Sequence, residues 1–506
     1  VGQAMRLLGS QFVFGRTIDE AIVNARKPEA MGYRYSYDML GEAARTGADA
    51  ARYFEAYAGA IATLAPRCTA PSVRDNPGIS VKLSALHPRY EFAQRHRVIA
   101  ELVDLTRKLA LAAKAANMGF NIDAEEADRL DLSLDIIAEV LATPELAGWD
   151  GFGVVVQAYG KRVVPLIDWL DATAQSLGRR IMVRLVKGAY WDAEIKRAQV
   201  MGLPGYPVFT RKASTDISYI AAAKKLFAAT SIYPQFATHN AHTASAVLHL
   251  ARQAGRAPDT YEFQRLHGMG ERLHDVLRDA EHTRTRIYAP VGAHKDLLAY
   301  LVRRLLENGA NGSFVYQIAD EDIPAAIVAE DPIGKVLALD SIANPAIPAP
   351  AAIFAPRENS AGLDLTDPIA FPAMKDARAA FQTTQWHAEP LFTSPFGGEA
   401  DPKGRVRGPS TALANPADTS DRLGTVIDAT KEDVTAAIAA AATAPWPRTL
   451  VQTRADLLRA TADLYESHQP ELFALLAREA GKSWADAVAE LRESVDFLRY
   501  YAAEAE

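Results

Sequence analysis

Seven short β-rich apolar runs recur from Ile79 onward, each leading to residues that could do chemistry, and their alternation with helical stretches constrains the fold more than any other feature. They are ISVKLSAL from Ile79, MGFNIDAEE from Met118, GFGVVVQAYG from Gly151, IMVRLVKGAYW from Ile181, YPQFATHN from Tyr233, YEFQRLHGM from Tyr261 and RTRIYAPVG from Arg284. Helical stretches separate them, and short buried strands alternating with helices signal βα units and a parallel sheet. A weaker eighth run at Ser313 to Ile318 completes a (β/α)8 barrel of about the usual 250 residues. A doubly wound open sheet is the competing topology. The run ends argue for the barrel: Lys82, Asp123 with Glu125 and Glu126, Gln157, Arg184 with Lys187, His239 with Asn240, Gln264, and Tyr288. In a barrel all of them converge on one mouth, where this fold carries its active sites. Glu126 or His267 alone reads as a solvated loop residue; convergence from seven strands does not.

The rest of the chain divides around this unit. At 506 residues it exceeds one ordinary core. Residues 1–75 read as a helical subdomain, rich in Ala, ending in the Pro-containing stretch from Pro66 to Gly78. Residues 76–325 are the expected barrel. Residues 326–412 are broken by recurrent prolines and read as a linker, either wrapped over a neighbouring domain or partly disordered. Residues 413–506 read as one short strand, Arg422 to Ile427, and three Ala-rich amphipathic helices. The chain opens on Val1 and stops inside a helical pattern at Glu506, so both ends look like cuts in something longer.

Composition excludes several classes. A net charge of −7 with no basic block gives no electrostatic footprint for nucleic acid. Cys68 is the only cysteine, so no intramolecular disulfide can form and a reducing, cytoplasmic setting is expected. No apolar run approaches the roughly 20 residues of a spanning helix. No GxGxxG follows a strand, and no Cys or His spacing suggests a metal site.

Two segments carry the most chemistry. In AYLVRRLLEN, Tyr300, Arg303 and Arg304 share one helix face at i, i+3 and i+4. They are either a solvated face with an Arg303–Glu307 pair or two guanidiniums for a small carboxylate, which Arg binds in bidentate fashion. In IMVRLVKGAYW, Arg184, Lys187, Tyr190 and Trp191 cluster at a strand end, with Gly188 and Ala189 leaving room for a planar ligand. The alternative there is rim packing. A lysine in a barrel, Lys187 or Lys82, also admits a Schiff-base aldolase.

The same segments carry a resemblance. Together with NIDAEEADRLDLSLDI, YPQFATHNAHT, YEFQRLHGMGE and RIYAPVGAHKDLLAYLVRRLLENGANGSFV, they resemble the proline dehydrogenase domain of bifunctional bacterial proline-catabolic flavoenzymes. The similarity runs through nearly all of residues 1–320, and roughly the last ninety residues resemble the start of an aldehyde dehydrogenase module. The resemblance implies a barrel holding FAD noncovalently, with the flavin accepting hydride from C5 of L-proline and passing electrons to a membrane quinone. It implies that Arg303, Arg304 and Lys82 bind the proline carboxylate and that Asp123, Tyr288 and Tyr300 close the pocket. FAD contacts carry over to Gln157, Arg184, Val186, Lys187, Gly188, Ala189, Trp191, Thr238, His239, Asn240, Gln264 and Arg304, with Tyr190 shaping the pocket beside the flavin.

That assignment makes Lys187 a flavin ligand instead of a Schiff base. It leaves the proton acceptor for the substrate amine open, Asp123 being either that acceptor or the partner of a nearby cation. The resemblance fails at one point: aldehyde dehydrogenases need a cysteine nucleophile, and Cys68 lies far upstream, so the second activity is expected to be absent. Peripheral contact at the inner membrane face and homo-oligomerisation are compatible with the reading. The rivals are the Lys-dependent aldolase and a noncatalytic regulatory or scaffolding barrel.

Overall fold

The computed structural model describes residues 12–292, 300–304, 329–390 and 408–506. The chain divides into two compact units, one of residues 1–196 and 206–347, the other of residues 197–205 and 348–506. The first holds a closed barrel of eight parallel strands in sequential order. These are β1 (Arg34–Asp38), β2 (Gly78–Val81), β3 (Gly119–Ile122), β4 (Phe152–Gln157), β5 (Ile181–Val186), β6 (Ile232–Ala237), β7 (Glu262–Leu266) and β8 (Arg284–Pro290).

The seven runs from Ile79 onward are β2 to β8, and the barrel is the expected fold. The closing strand is a correction. β1 lies within the stretch read as helical, and it pairs with β2 through Tyr37 and Ile79 and with β8 through Ser36 and Tyr288. The barrel therefore begins well before residue 76. The run at Ser313 to Ile318, the expected eighth strand, lies outside the described residues. Helices do flank β1, at Ile18–Ala30 and Gly47–Leu64, the latter started by a capping box of Thr46 and Asp49.

Alternate residues along each strand face opposite ways. One set, including Ile79, Val81, Phe120, Ile122, Val154, Val156, Val183, Leu185, Phe236, Phe263 and Ile287, joins the main hydrophobic core. The other set turns into the barrel and is largely polar. Ser36 and Ser80 hydroxyls lie 2.9 Å apart across β1 and β2, and Arg184 of β5 donates to both. Toward the N-terminal ends, Glu262 accepts from Arg286, Gln235 and Gln264 at 2.9, 2.9 and 2.6 Å.

The second unit contains a three-stranded sheet of β9 (Trp386–Ala388), β10 (Ser410–Asn415) and β11 (Asp418–Ile427), in the order β10, β11, β9. It also has helices at Ala370–Ala379, Lys431–Thr443, Val451–Ser467, Gln469–Ala480 and Trp484–Ala505. Arg478 ties helix to sheet, with both Nε and Nη2 on the Asp421 carboxylate. Compared with expectation, the strand reaches back to Asp418, a hairpin partner precedes it, four helices follow it, and the segment read as linker contributes β9 and a helix. No helix among the described residues is long and apolar enough to cross a membrane.

Candidate active site

The C-terminal ends of the strands enclose a cavity of about 540 Å³. Every residue that the resemblance assigns to substrate or cofactor lines it, Lys82, Asp123, Gln157, Arg184, Val186, Lys187, Gly188, Ala189, Tyr190, Trp191, Thr238, His239, Asn240, Gln264, Tyr288, Tyr300, Arg303 and Arg304, whereas the strand-end residues Glu125 and Glu126 do not. Seven cationic side chains face it, the other two being Lys212 and Arg265, against the single carboxylate of Asp123. Such a wall attracts anions, and low-dielectric surroundings strengthen the attraction.

The deepest part is an ion cluster. Lys82, just past β2, lies 2.8 Å from Asp38 of β1 and 3.3 Å from Asp123, just past β3. Arg184 reaches Asp123 at 3.0 Å from the other side. The Tyr288 hydroxyl of β8 lies 2.7 Å from Asp38 and 2.6 Å from Asp123. Burial alone would push the Lys82 ammonium down, but Asp38, Tyr288 and Asp123 hold it well above its ordinary value. Burial, with Asp123 and Asp38 alongside, raises the Tyr288 phenol far above its own. Lys82 is thus a fixed ammonium and Tyr288 a fixed phenol.

Residues 300–304 are helical and place Arg303 beside the cavity, forked onto Glu42 by two 2.8 Å bonds and 5.1 Å over the Tyr190 ring. Burial pushes the Glu42 carboxyl up, yet the Arg303 guanidinium outweighs it and holds the group below its usual range. The Glu307 partner considered from sequence lies outside the described residues. Lys187 pairs with Asp216, which also takes Lys212 at 2.9 Å. Trp191 donates its indole N–H to the Phe209 carbonyl at 2.8 Å, fixing the ring. Burial lowers His239 to about 3, so its imidazole is neutral; its Nε2 accepts the Leu266 amide at 3.0 Å, which leaves the proton on Nδ1.

The walls suit a bulky anionic, planar group. Arg184 Nε is buried without a hydrogen-bond partner among the described residues, although the rest of its guanidinium is engaged. Gly188 has φ +129°, and a Cβ there would lie 2.5 Å from the Tyr159 ring, so only glycine leaves that backbone free to approach a ligand. Among the described residues no group of three or more His, Cys, Asp or Glu could hold a metal ion.

Sequence reasoning missed Asp38, Glu42, Asp216, Lys212 and Arg265. Asp38 carried the same signal as the others, a polar residue closing an alternating run, Tyr33 to Asp38. Glu42 and Asp216 carried none, because each is defined by a partner far away in the chain.

Residues 21–317 match the proline dehydrogenase family, and residues 406–506 match the aldehyde dehydrogenase family. The bifunctional protein PutA of Salmonella typhimurium is 50% identical over 517 residues, spanning 99% of this chain and 38% of that protein. Proline dehydrogenase of Deinococcus radiodurans is 28% identical over 317 residues, spanning 62% of this chain and 91% of that protein. A crystal structure of a Bradyrhizobium japonicum PutA variant superposes with a TM-score of 0.84 at 48% identity, covering 99% of this chain and 47% of that one. The chain thus spans about two fifths of the length of the PutA relatives it matches.

Proposed function

This chain belongs to the proline dehydrogenase family, whose members are FAD-dependent, and from that premise we propose that its barrel oxidises L-proline to 1-pyrroline-5-carboxylate and passes the electrons to a quinone. FAD supplies the hydride acceptor when bound. The observation that carries the reading is one cavity lined by seven cations and one carboxylate, with an unsatisfied Arg184 Nε and a glycine-floored wall.

Lys187, Arg184, Gln157, His239, Asn240, Thr238, Gln264 and the backbone at Val186, Gly188 and Ala189 would hold FAD, with Trp191 and Tyr190 completing that side of the cavity wall. Arg303, Arg304 and Lys82 fix the proline carboxylate, so that one ring carbon faces the acceptor. Positioning of this kind supplies much of a rate enhancement. Tyr288 and Tyr300 close the pocket over the ring. The barrel works on the cytoplasmic side of the membrane, touching it peripherally to meet the quinone, and a homo-oligomer is compatible with this arrangement. The aldehyde dehydrogenase step is not performed by these residues, since the only cysteine, Cys68, lies before the barrel's second strand.

The aldolase alternative is disfavoured by Lys82, an ammonium held between two carboxylates, and by Lys187, paired with Asp216. The deciding experiment supplies L-proline and a water-soluble quinone to the purified, FAD-loaded chain and measures pyrroline formation. Stoichiometric quinone reduction and pyrroline formation are expected. Failure to oxidise proline, or borohydride trapping of a carbonyl substrate on Lys187, would overturn the reading.

A further inference from the structure

Arg303, Arg478 and Arg286 each set two nitrogens on one carboxylate. Arg303 meets Glu42 end-on, with Nη1 and Nη2 both at 2.8 Å. Arg478 meets Asp421 side-on, through Nε at 3.1 Å and Nη2 at 2.7 Å, and Arg286 approaches Glu262 in the same way at 2.9 and 3.4 Å. Arg184, buried on β5, departs from this pattern. It sets a single nitrogen on Asp123, Nη1 on Oδ1 at 3.0 Å, although planar guanidinium and carboxylate groups favour the fork.

The reason lies across the barrel. A guanidinium forks through Nη1 and Nη2 or through Nε and Nη2, so either geometry needs Nη2. At Arg184 that nitrogen is taken by two hydroxyls, Ser36 Oγ of β1 at 3.3 Å and Ser80 Oγ of β2 at 3.1 Å. Nη2 carries two N–H groups, one for each hydroxyl. The two serines are buried and their hydroxyls lie 2.9 Å apart, so neither can turn away to solvent. The guanidinium also lies over the Tyr288 ring, 5.3 Å from its centroid.

This arrangement leaves Nε over. It is buried without a hydrogen-bond partner among the described residues, and its side chain lines the cavity. A buried donor without an acceptor is costly. A side-on fork onto Asp123 would end that cost within the protein, and the serine pair blocks it.

We propose that Ser36 and Ser80 are positioning residues that hold Arg184 to one bond on Asp123 and so reserve its Nε–H for an acceptor atom of the bound flavin. The proposal rests on the FAD reading and deepens it, giving a role to two hydroxyls that do not line the cavity. An N–H borne on a fixed cation favours whichever redox form carries more negative charge, and for a flavin that is the reduced one. The serine pair therefore raises the flavin midpoint potential. Were the hydroxyls there only to satisfy a buried guanidinium, their loss would weaken the barrel and leave the potential where it is.

The test is the midpoint potential of the FAD-loaded full chain, read by equilibration with a reference dye, in the unsubstituted protein and in Ser36→Ala/Ser80→Ala. The double variant should bind reduced flavin about tenfold to a hundredfold less tightly relative to oxidised flavin, which lowers a two-electron potential by about 30–60 mV. A crystal structure of the same variant should show Arg184 forked onto Asp123. An unmoved potential, or an Arg184 that still makes one bond to Asp123, would overturn the proposal. If the double variant does not fold, Ser80→Ala alone decides, because it removes the shorter contact; a shift of about threefold, or 15 mV, is expected, and none overturns the proposal. An unsubstituted chain that folds and takes up no FAD would instead overturn the FAD reading.

Discussion

Arg286 and Tyr288 sit two residues apart on β8, both turned into the barrel, and the charge clusters around them differ in their hydrogen-bond accounting. Arg286 has five N–H donors, and each has a partner: both Glu262 oxygens and the carbonyls of Tyr35, Asn76 and Arg74. Those donors are all used, and the cluster lies toward the N-terminal end of the barrel, where residues serve stability. One step toward the mouth, the Tyr288 cluster holds two aspartates, one lysine and one arginine around a phenol with a single proton, and opens onto the cavity. A buried charge with every donor used holds a fold together. One left short of a proton, beside a cationic cavity, is suited to chemistry.

The comparison can be broken at its structural end with the largest expected effect. Arg286→Met leaves Glu262 buried without its cation, and the urea-unfolding free energy of the barrel should fall by about 3–5 kcal/mol. A loss below about 1 kcal/mol would mean that the saturated cluster does not hold the barrel. At the functional end the signature reverses. Arg303→Met should raise KM for proline tenfold to about a hundredfold, the worth of a charge-assisted hydrogen bond of roughly 1.5–3 kcal/mol, with FAD still bound. An unchanged KM would remove Arg303 from substrate binding.

Gly188→Ala probes the wall between the two functions. Its left-handed backbone and the 2.5 Å approach of a Cβ to Tyr159 predict strain of about 1–3 kcal/mol. Fluorescence titration should then show FAD binding weakened by roughly tenfold to a hundredfold, and unaltered affinity would show that the backbone does not approach the cofactor.

Counted per group and per pH unit, the smallest expected effect concerns pH. Burial lowers His239 and His274 to about 3 and His267 to about 4, while an unfolded imidazole titrates near 6.5. Between those values the unfolded chain binds more protons, so stability rises with pH. On acidification below about 6.5, each histidine should remove about 1.4 kcal/mol per pH unit until its folded value is reached. A urea midpoint flat between pH 6.5 and 4.5 would contradict the neutral, buried assignment.

Much of this was legible in the sequence because strand periodicity and strand polarity are local properties. IMVRLVKGAYW shows in eleven residues both the apolar face that packs outward and the Arg184, Lys187 and Tyr190 that meet the cavity. The closing strand was harder to read. RYSYD is only five residues long and embedded between helices, so its alternating tyrosines are easily absorbed into the helical stretch until the pairing with β8 is seen. Asp38 was lost with it. The Arg303–Glu42 and Lys187–Asp216 pairs join residues 261 and 29 positions apart, the first brought together by barrel closure and the second by the packing of a helix beside β5, and no local pattern encodes either.

The most direct test of the whole account is the visible absorption spectrum of the purified chain loaded with FAD, recorded before and after anaerobic addition of L-proline. Bound flavin absorbance that bleaches on proline addition, and returns with quinone, is the predicted result. A chain that folds but takes up no FAD, or whose bound flavin stays oxidised in excess proline, would contradict the claim that this barrel mouth is a proline dehydrogenase site.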